Sequence, residues 1–176
     1  MKRGFDSSPP RHGDTEKSSE EVRSRLIVGV ISDTHGLLRP EAVELLRGSE
    51  HIIHAGDIGA PEIVAELEKI APVTAIRGNV DTQEWAHRFA ETEVVELAGL
   101  FFYVVHDAKA LDLNPKAAGF AAVISGHSHK PKQEVKDGVL HFNPGSAGPR
   151  RFKLPISVGR LTIDGGHLSG EVLQIG

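Results

Sequence analysis

The sequence contains no cysteine. That excludes disulfides, thiolate nucleophiles and cysteine-ligated zinc at a stroke. It also contains no apolar run near the roughly 20 residues that span a bilayer. Met1 to Arg25 lacks the apolar centre of a secretory signal, so a cytoplasmic protein with no membrane partner is expected. Nor is there an excess of positive charge: 20 basic against 24 acidic residues leave a net charge of −4. Phosphate backbones are held mainly by clustered Lys and Arg, so no stable nucleic-acid binding is expected. A small phosphate ester needs only local positive charge, which metal ions can supply.

The residues that are present make a globular chain. Hydrophobic residues make up 39% and charged residues 25% of the 176 residues, enough for one domain with a true core. Residues 1–25 are rich in serine, proline and mixed charge and read as a disordered polar tail. The folded domain is expected over 26–176. The 10 histidines are the compositional oddity, because several come directly after apolar runs and stand beside Gly or Asp.

Along the body, apolar runs alternate with amphipathic ones. Leu26 to Ser32 reads as a strand buried on both faces. Pro40 to Arg47 and Pro61 to Lys69 read as helices opened by proline, and His51 to His54 and Val73 to Ile76 as further strands. This β-α-β-α-β opening implies parallel strands joined by right-handed crossovers. The second half changes character. Glu93 to Leu97 and Leu100 to Val105 flank Ala98-Gly99 as a hairpin. Asn114 is placed to cap a short helix from Pro115 to Gly119. Ala122 to Ser125 is a buried strand, and Asp137-Gly138 and Asp164-Gly165-Gly166 mark two more hairpins. Parallel units succeeded by hairpins predict an α/β protein in which two sheets pack face to face with helices outside.

The chemistry lies in the loops at the strand ends. Asp33-Thr34-His35, Gly56-Asp57, Gly78-Asn79, His106 and Gly126-His127-Ser128-His129 each come directly after an apolar run. In open α/β folds ligands sit outside the carboxyl ends of strands, so neighbouring strands would gather these groups in one crevice. Carboxylate, imidazole and amide donors without thiolate suit divalent Mn, Fe, Zn or Ni. Asp-x-His and His-x-His each send two donors to one side of an extended segment. A carboxylate such as Asp57 can bridge two ions, and two ions can clamp the oxygens of an in-line phosphoryl displacement. Each motif alone is commonplace and often caps a turn; the ordered set of five is not.

That series, with Asp81 two residues after Asn79, resembles the signature of the calcineurin-like metallophosphoesterase superfamily. Arg77-Gly78-Asn79-x-Asp81 and Asn143-Pro144-Gly145-Ser146 make the chain most similar to its small bacterial and archaeal phosphodiesterases. The resemblance covers Leu26 to the carboxyl end. It implies a four-layer α-β-β-α sandwich of two mixed β-sheets and two divalent ions; the hard-to-intermediate donors without sulfur put manganese first and nickel, iron or zinc after it. It implies that Asp33, His35 and His129 hold one ion, that Asn79, His106 and His127 hold the other, and that Asp57 bridges them. Asp57, Asn79 and His106 are also carried over as the catalytic set. The implied reaction is hydroxide attack on a small organic or nucleotide phosphodiester.

Two residues depart from the pattern. Val80 stands where many members carry a histidine suited to protonate the leaving group, though the small phosphodiesterases often lack it too. A positioned acid is worth about 10²–10⁴-fold, so modest activity or dependence on good leaving groups is expected. Asp107 stands where the family usually has glycine; capping of the next loop is the favoured reading. The short span from His106 to His127 predicts a more open pocket. His54 reads as a supporting residue, Asp81 as a brace for the Asn79 loop, and Arg77 as an ion-pair partner. Arg150 and Arg151 read equally as phosphate ligands or as a solvated face, and Trp85 as core or lid. His12, His51, His87, His141 and His167 fall outside the motifs. A phosphomonoesterase or nucleotide pyrophosphohydrolase remains an alternative. A non-catalytic protein-binding scaffold of the same fold is a third reading, disfavoured because all seven donor positions hold competent ligands. An oligomer is compatible with the sequence.

Overall fold

The computed structural model describes residues 25–176. The expected tail therefore lies, but for Arg25, outside the described residues. Ten strands and two α-helices run in order: β1 Leu26–Ile31, α1 Pro40–Leu46, β2 His51–His54, α2 Pro61–Glu68, β3 Val73–Ala75, β4 Thr92–Leu97, β5 Leu100–Val105, β6 Ala122–Ile124, β7 Lys132–Lys136, β8 Val139–Asn143, β9 Ile156–Asp164 and β10 His167–Ile175. They form two five-stranded sheets, ordered β10-β9-β1-β2-β3 and β4-β5-β6-β8-β7. In the first sheet β1, β2 and β3 run parallel, and β9 pairs antiparallel with both β1 and β10. In the second, β5, β6 and β8 are parallel, with β4 and β7 antiparallel at the edges. Both sheets are mixed, as expected.

Period-two alternation sorts the side chains into layers. Val28, Val30 and Ile53 from the first sheet meet Phe102, Val104, Ile124, Leu140 and Phe142 from the second in a sealed core. The other face of the first sheet, with Ile31 and Ile52, receives both helices. Each helix starts on a proline whose missing N–H would be unpaired there anyway. α1 buries Ala42 and Leu46, and α2 buries Ile63, Val64 and Leu67, the spacing of one helical face.

The outer face of the second sheet is covered differently from the sequence expectation. Residues 115–119 form successive turns rather than a helix. Asn114 does cap them, its Oδ1 accepting from Ala117 N at 3.0 Å. A five-residue segment with one exposed alanine pair has too little apolar surface to offset helix nucleation. This fourth layer is therefore thin: a 3₁₀ turn at Ala108–Ala110, Leu111 against Val105, Val123 and Val139, and Phe120 against Tyr103. A second 3₁₀ turn at Glu84–Arg88 was not expected. It brings Trp85 and Phe89 onto the helix-side core, so Trp85 packs rather than roofing a pocket. Two-residue hairpin loops at Ala98-Gly99 and Asp137-Gly138 have positive φ at both residues, the twist-matched turn that the Asp137-Gly138 pair predicts. Among the described residues no helix is long and apolar enough to cross a membrane.

All six parallel strands, three per sheet, carry their outgoing loops to the same end of the sandwich. There the sheets are stitched by polar bonds: His106 Nδ1 to Ala55 O at 2.7 Å, His127 N to Asp33 Oδ2 at 3.1 Å and Ser146 Oγ to Asp33 O at 3.0 Å.

Candidate metal centre

Five of those loops supply the expected donors, and the structure brings them together. Asp33, His35 and His129 place ligand atoms within 4.8 Å of one another, and so do Asp57, His106 and His127. Asn79 joins the second group, with Oδ1 3.2 Å from His127 Nδ1. In the first group His129 Nε2 lies 3.2 Å from Asp33 Oδ1 and 3.3 Å from His35 Nε2. Neighbouring donors on one ion, at bond lengths near 2.0–2.1 Å, stand about 3.0–3.4 Å apart. Asp57 Oδ2 lies between the groups, 3.2 Å from His106 Nε2 and 3.6 Å from His35 Nε2.

The protonation pattern suits cations. His106 Nδ1 faces a carbonyl, which only accepts, so Nδ1 carries the proton and Nε2 the lone pair of the neutral ring. Asp33 Oδ2 accepts from Ser32 Oγ at 2.7 Å and from His127 N, leaving Oδ1 free. Asp33 Oδ1, His106 Nε2 and His129 Nδ1 are buried without a hydrogen-bond partner, the only such side-chain atoms among the described residues. Each orphan costs on the order of 1–3 kcal/mol. Two of them, Asp33 Oδ1 and His106 Nε2, face one another at 3.9 Å, one from each donor group, so that each has open space toward its own cation. The donor set thus fits divalent ions.

Burial and charge act against each other on the titrating groups. Burial holds His35 below the usual histidine value, against the pull of Asp57 and Asp33. Burial would lower His106 too, but the Asp57 carboxylate, the Ala55 carbonyl and the Asp33 charge raise it overall. Asp57 is lowered: burial opposes its charge, and the contact with His106 and the Val80 amide more than offset that.

The loops are strained to achieve this. Asp33, His35, Asp57, His127 and His129 have φ between 46° and 67°, a region uncommon for non-glycine residues and concentrated at functional sites. Glycines clear the space around them. A Cβ at Gly78 would strike the Asp57 carboxylate and amide, and one at Gly126 would strike Ser32 Oγ and Asp33 Oδ2.

A second ring of residues fixes the donors. Asp81 is buried and accepts three backbone N–H groups: Gly78 at 2.8 Å, Gly59 at 2.9 Å and Ile58 at 3.0 Å. It braces the Asn79 loop as expected, and ties it to the Asp57 loop as well. His54 accepts from Gly56 N at 3.2 Å, so its Nε2–H donates to Thr34 Oγ1 at 2.9 Å, and Thr34 donates onward to Ile58 O. Full burial pushes the His54 pKa down to about 4, so the ring is a neutral strut rather than a donor to the centre. Asp107 caps the 3₁₀ turn by accepting from Lys109 N at 3.0 Å. Its Oδ2 also stands 3.8 Å from His127 Nε2. Arg77 pairs with Glu91 at 3.0 Å, and Arg150 and Arg151 are exposed. The sequence reading gave no supporting role to Ser32, Asn143 or Ser146. Asn143 Nδ2 donates to Gly126 O at 2.8 Å and to Ser128 Oγ at 3.2 Å, holding the loop of His127 and His129. The Asn143–Ser146 string signals a turn but not what that turn supports.

A family model described as the calcineurin-like phosphoesterase superfamily domain matches residues 26–166. The chain is 37% identical over 164 residues to a probable metallophosphoesterase of Methanothermobacter thermautotrophicus, covering 86% of this chain and 94% of that one. The structure is similar to that of a novel archaeal phosphodiesterase, with a TM-score of 0.69 and 27% identity over 84% of this chain and all of that one. It shares its fold with vacuolar protein sorting 29 from Cryptosporidium parvum, with a TM-score of 0.68 at 19% identity, over 86% of this chain and 98% of that one.

Proposed function

Since the chain belongs to the calcineurin-like phosphoesterase superfamily, we propose that it hydrolyses small organic or nucleotide phosphodiesters at a two-ion centre. In this reading Asp33, His35 and His129 hold one ion, Asn79, His106 and His127 the other, and Asp57 both. The observation that carries it is the pair of buried, unpartnered atoms, Asp33 Oδ1 and His106 Nε2, facing each other amid the other donors. A purely structural site would pair them. That argues against a scaffold, in which nothing would offset their desolvation.

Bound divalent ions supply Lewis-acid charge to the phosphoryl oxygens and ease ionisation of water. The protein's part is placement. The Ala55 carbonyl holds the Nδ1 proton of His106, so the neutral ring offers its lone pair at Nε2. The Val80 amide holds Asp57 Oδ1 at 3.1 Å, leaving Oδ2 to face both groups. Val80 itself is 38% exposed beside the centre and carries no proton to give, so turnover depends on leaving groups stable as anions. Manganese is the first ion to test, given hard-to-intermediate donors and no sulfur. A cysteine-free chain suits the reducing cytoplasm.

The test is hydrolysis of bis-p-nitrophenyl phosphate by metal-stripped protein, with Mn²⁺ restored and p-nitrophenyl phosphate run in parallel. Metal-dependent release chiefly from the diester is expected. Faster turnover of the monoester would make the protein a phosphatase. Folded protein with no turnover under any divalent ion would overturn the enzymatic reading.

A further inference from the structure

A groove of about 490 Å³ opens beside the second donor group, with Asn79, His106 and His127 in its wall. His106 is more than nine-tenths buried, and its Nε2 is unpartnered. The rest of the lining is uneven in charge. Arg77 and Glu91 both contribute, but they neutralise each other. Tyr103, Val105 and Ala110 add apolar surface. Two further carboxylates, Asp107 and Asp112, remain. Asp107 commits Oδ1 to the Lys109 amide and keeps Oδ2 toward the groove side of His127. Asp112 is exposed, and no ion pair holds it among the described residues.

We propose that this groove receives the leaving alcohol of the diester, and that Asp107 and Asp112 select alcohols bearing an ammonium or several hydroxyls against those bearing a further phosphate or carboxylate. The inference rests on the phosphodiesterase reading. Its physical basis is a cavity joined to the donor group, with two carboxylates in its lining that no Lys or Arg pairs among the described residues. An ammonium or hydroxyl donor gains charge-assisted hydrogen bonds there. An anion meets repulsion at close range. A nucleoside polyphosphate would bring its extra charges into that field.

The test uses full-length protein with Mn²⁺ and three methyl phosphate diesters, whose second alcohol is ethanolamine, glycerol or glycolate, as competitors of bis-p-nitrophenyl phosphate hydrolysis. The ratio of the inhibition constants of the glycolate and ethanolamine esters is expected to be about tenfold or more, with glycerol between. One charge at this range is worth about three- to tenfold. Asp112→Asn and Asp107→Asn should each lower the ratio by that factor, and Asp112→Lys should invert the order. The phosphate monoesters of the same alcohols, titrated by calorimetry, should bind in the same order. Equal treatment of the three alcohols, or ratios unmoved in variants folded by circular dichroism, would overturn the inference. Failure on bis-p-nitrophenyl phosphate would sink the phosphodiesterase reading instead, and the calorimetric order would still decide what the groove prefers.

Discussion

At the scale of single residues, the site separates groups whose charge matters from those that must stay neutral. Asp57 belongs to the first kind, standing 3.2 Å and 3.6 Å from imidazoles of both groups. Asp57→Asn keeps the shape and removes the charge. It should weaken binding of both ions by more than the roughly 10–100-fold lost when a mere supporting partner is removed, and abolish nearly all activity; calorimetric metal titration checks this. His54 belongs to the second kind. Its folded pKa of about 4 lies below its ordinary 6.5. Between those values the unfolded chain takes up a proton that the native ring refuses. Stability therefore falls as pH drops through that window, by about 3 kcal/mol from this residue. A His54→Gln variant should show a flatter slope of unfolding free energy between pH 6.5 and 4, read from denaturant melts. His106 titrates the other way. Raised by Asp57, it holds a proton to higher pH than ordinary histidine in the metal-free protein. Ion binding must expel that proton, so metal affinity should climb as pH rises through and beyond the usual histidine range.

At the scale of elements, loops after strands do the work, and one carboxylate couples two of them. Asp81 accepts amides from the Asp57 and Asn79 loops together. An asparagine there presents one acceptor oxygen and sets an NH₂ against an amide donor. Asp81→Asn should cost on the order of 2–4 kcal/mol and loosen metal binding without touching a donor; thermal melts with and without Mn²⁺ separate the two effects. The donors were legible because each sits next to its strand end and beside a glycine or another donor, a pattern confined to a few residues. Their braces were not. Ser146 reaches Asp33 across 113 positions of chain and Asn143 reaches Gly126 across 17, and hydroxyls or amides in a turn look alike whatever they hold. Asn114 shows the opposite limit. Its capping chemistry was readable, yet Asn-Pro opens helices and turns equally. Only the thin apolar surface of 115–119 decides between them.

At the scale of the molecule, two sheets with alternating apolar faces were readable from strand periodicity and from Ala98-Gly99 and Asp137-Gly138. The strand order was not. β8 inserts between β6 and β7, parallel to β6, and no local pattern announces a pairing that depends on which edge stays open. That insertion sends Asn143 to the same end as Asp33, Asp57, Asn79, His106 and His127. The six parallel strands thus act as one platform for the donors. The most direct test of the account is a count of ions. Metal-stripped protein is titrated with Mn²⁺, and stoichiometry and bis-p-nitrophenyl phosphate hydrolysis are monitored together. The account predicts two ions per chain, with activity appearing only as the second site fills. Full activity at one ion per chain, or no ion bound by folded protein, would contradict it.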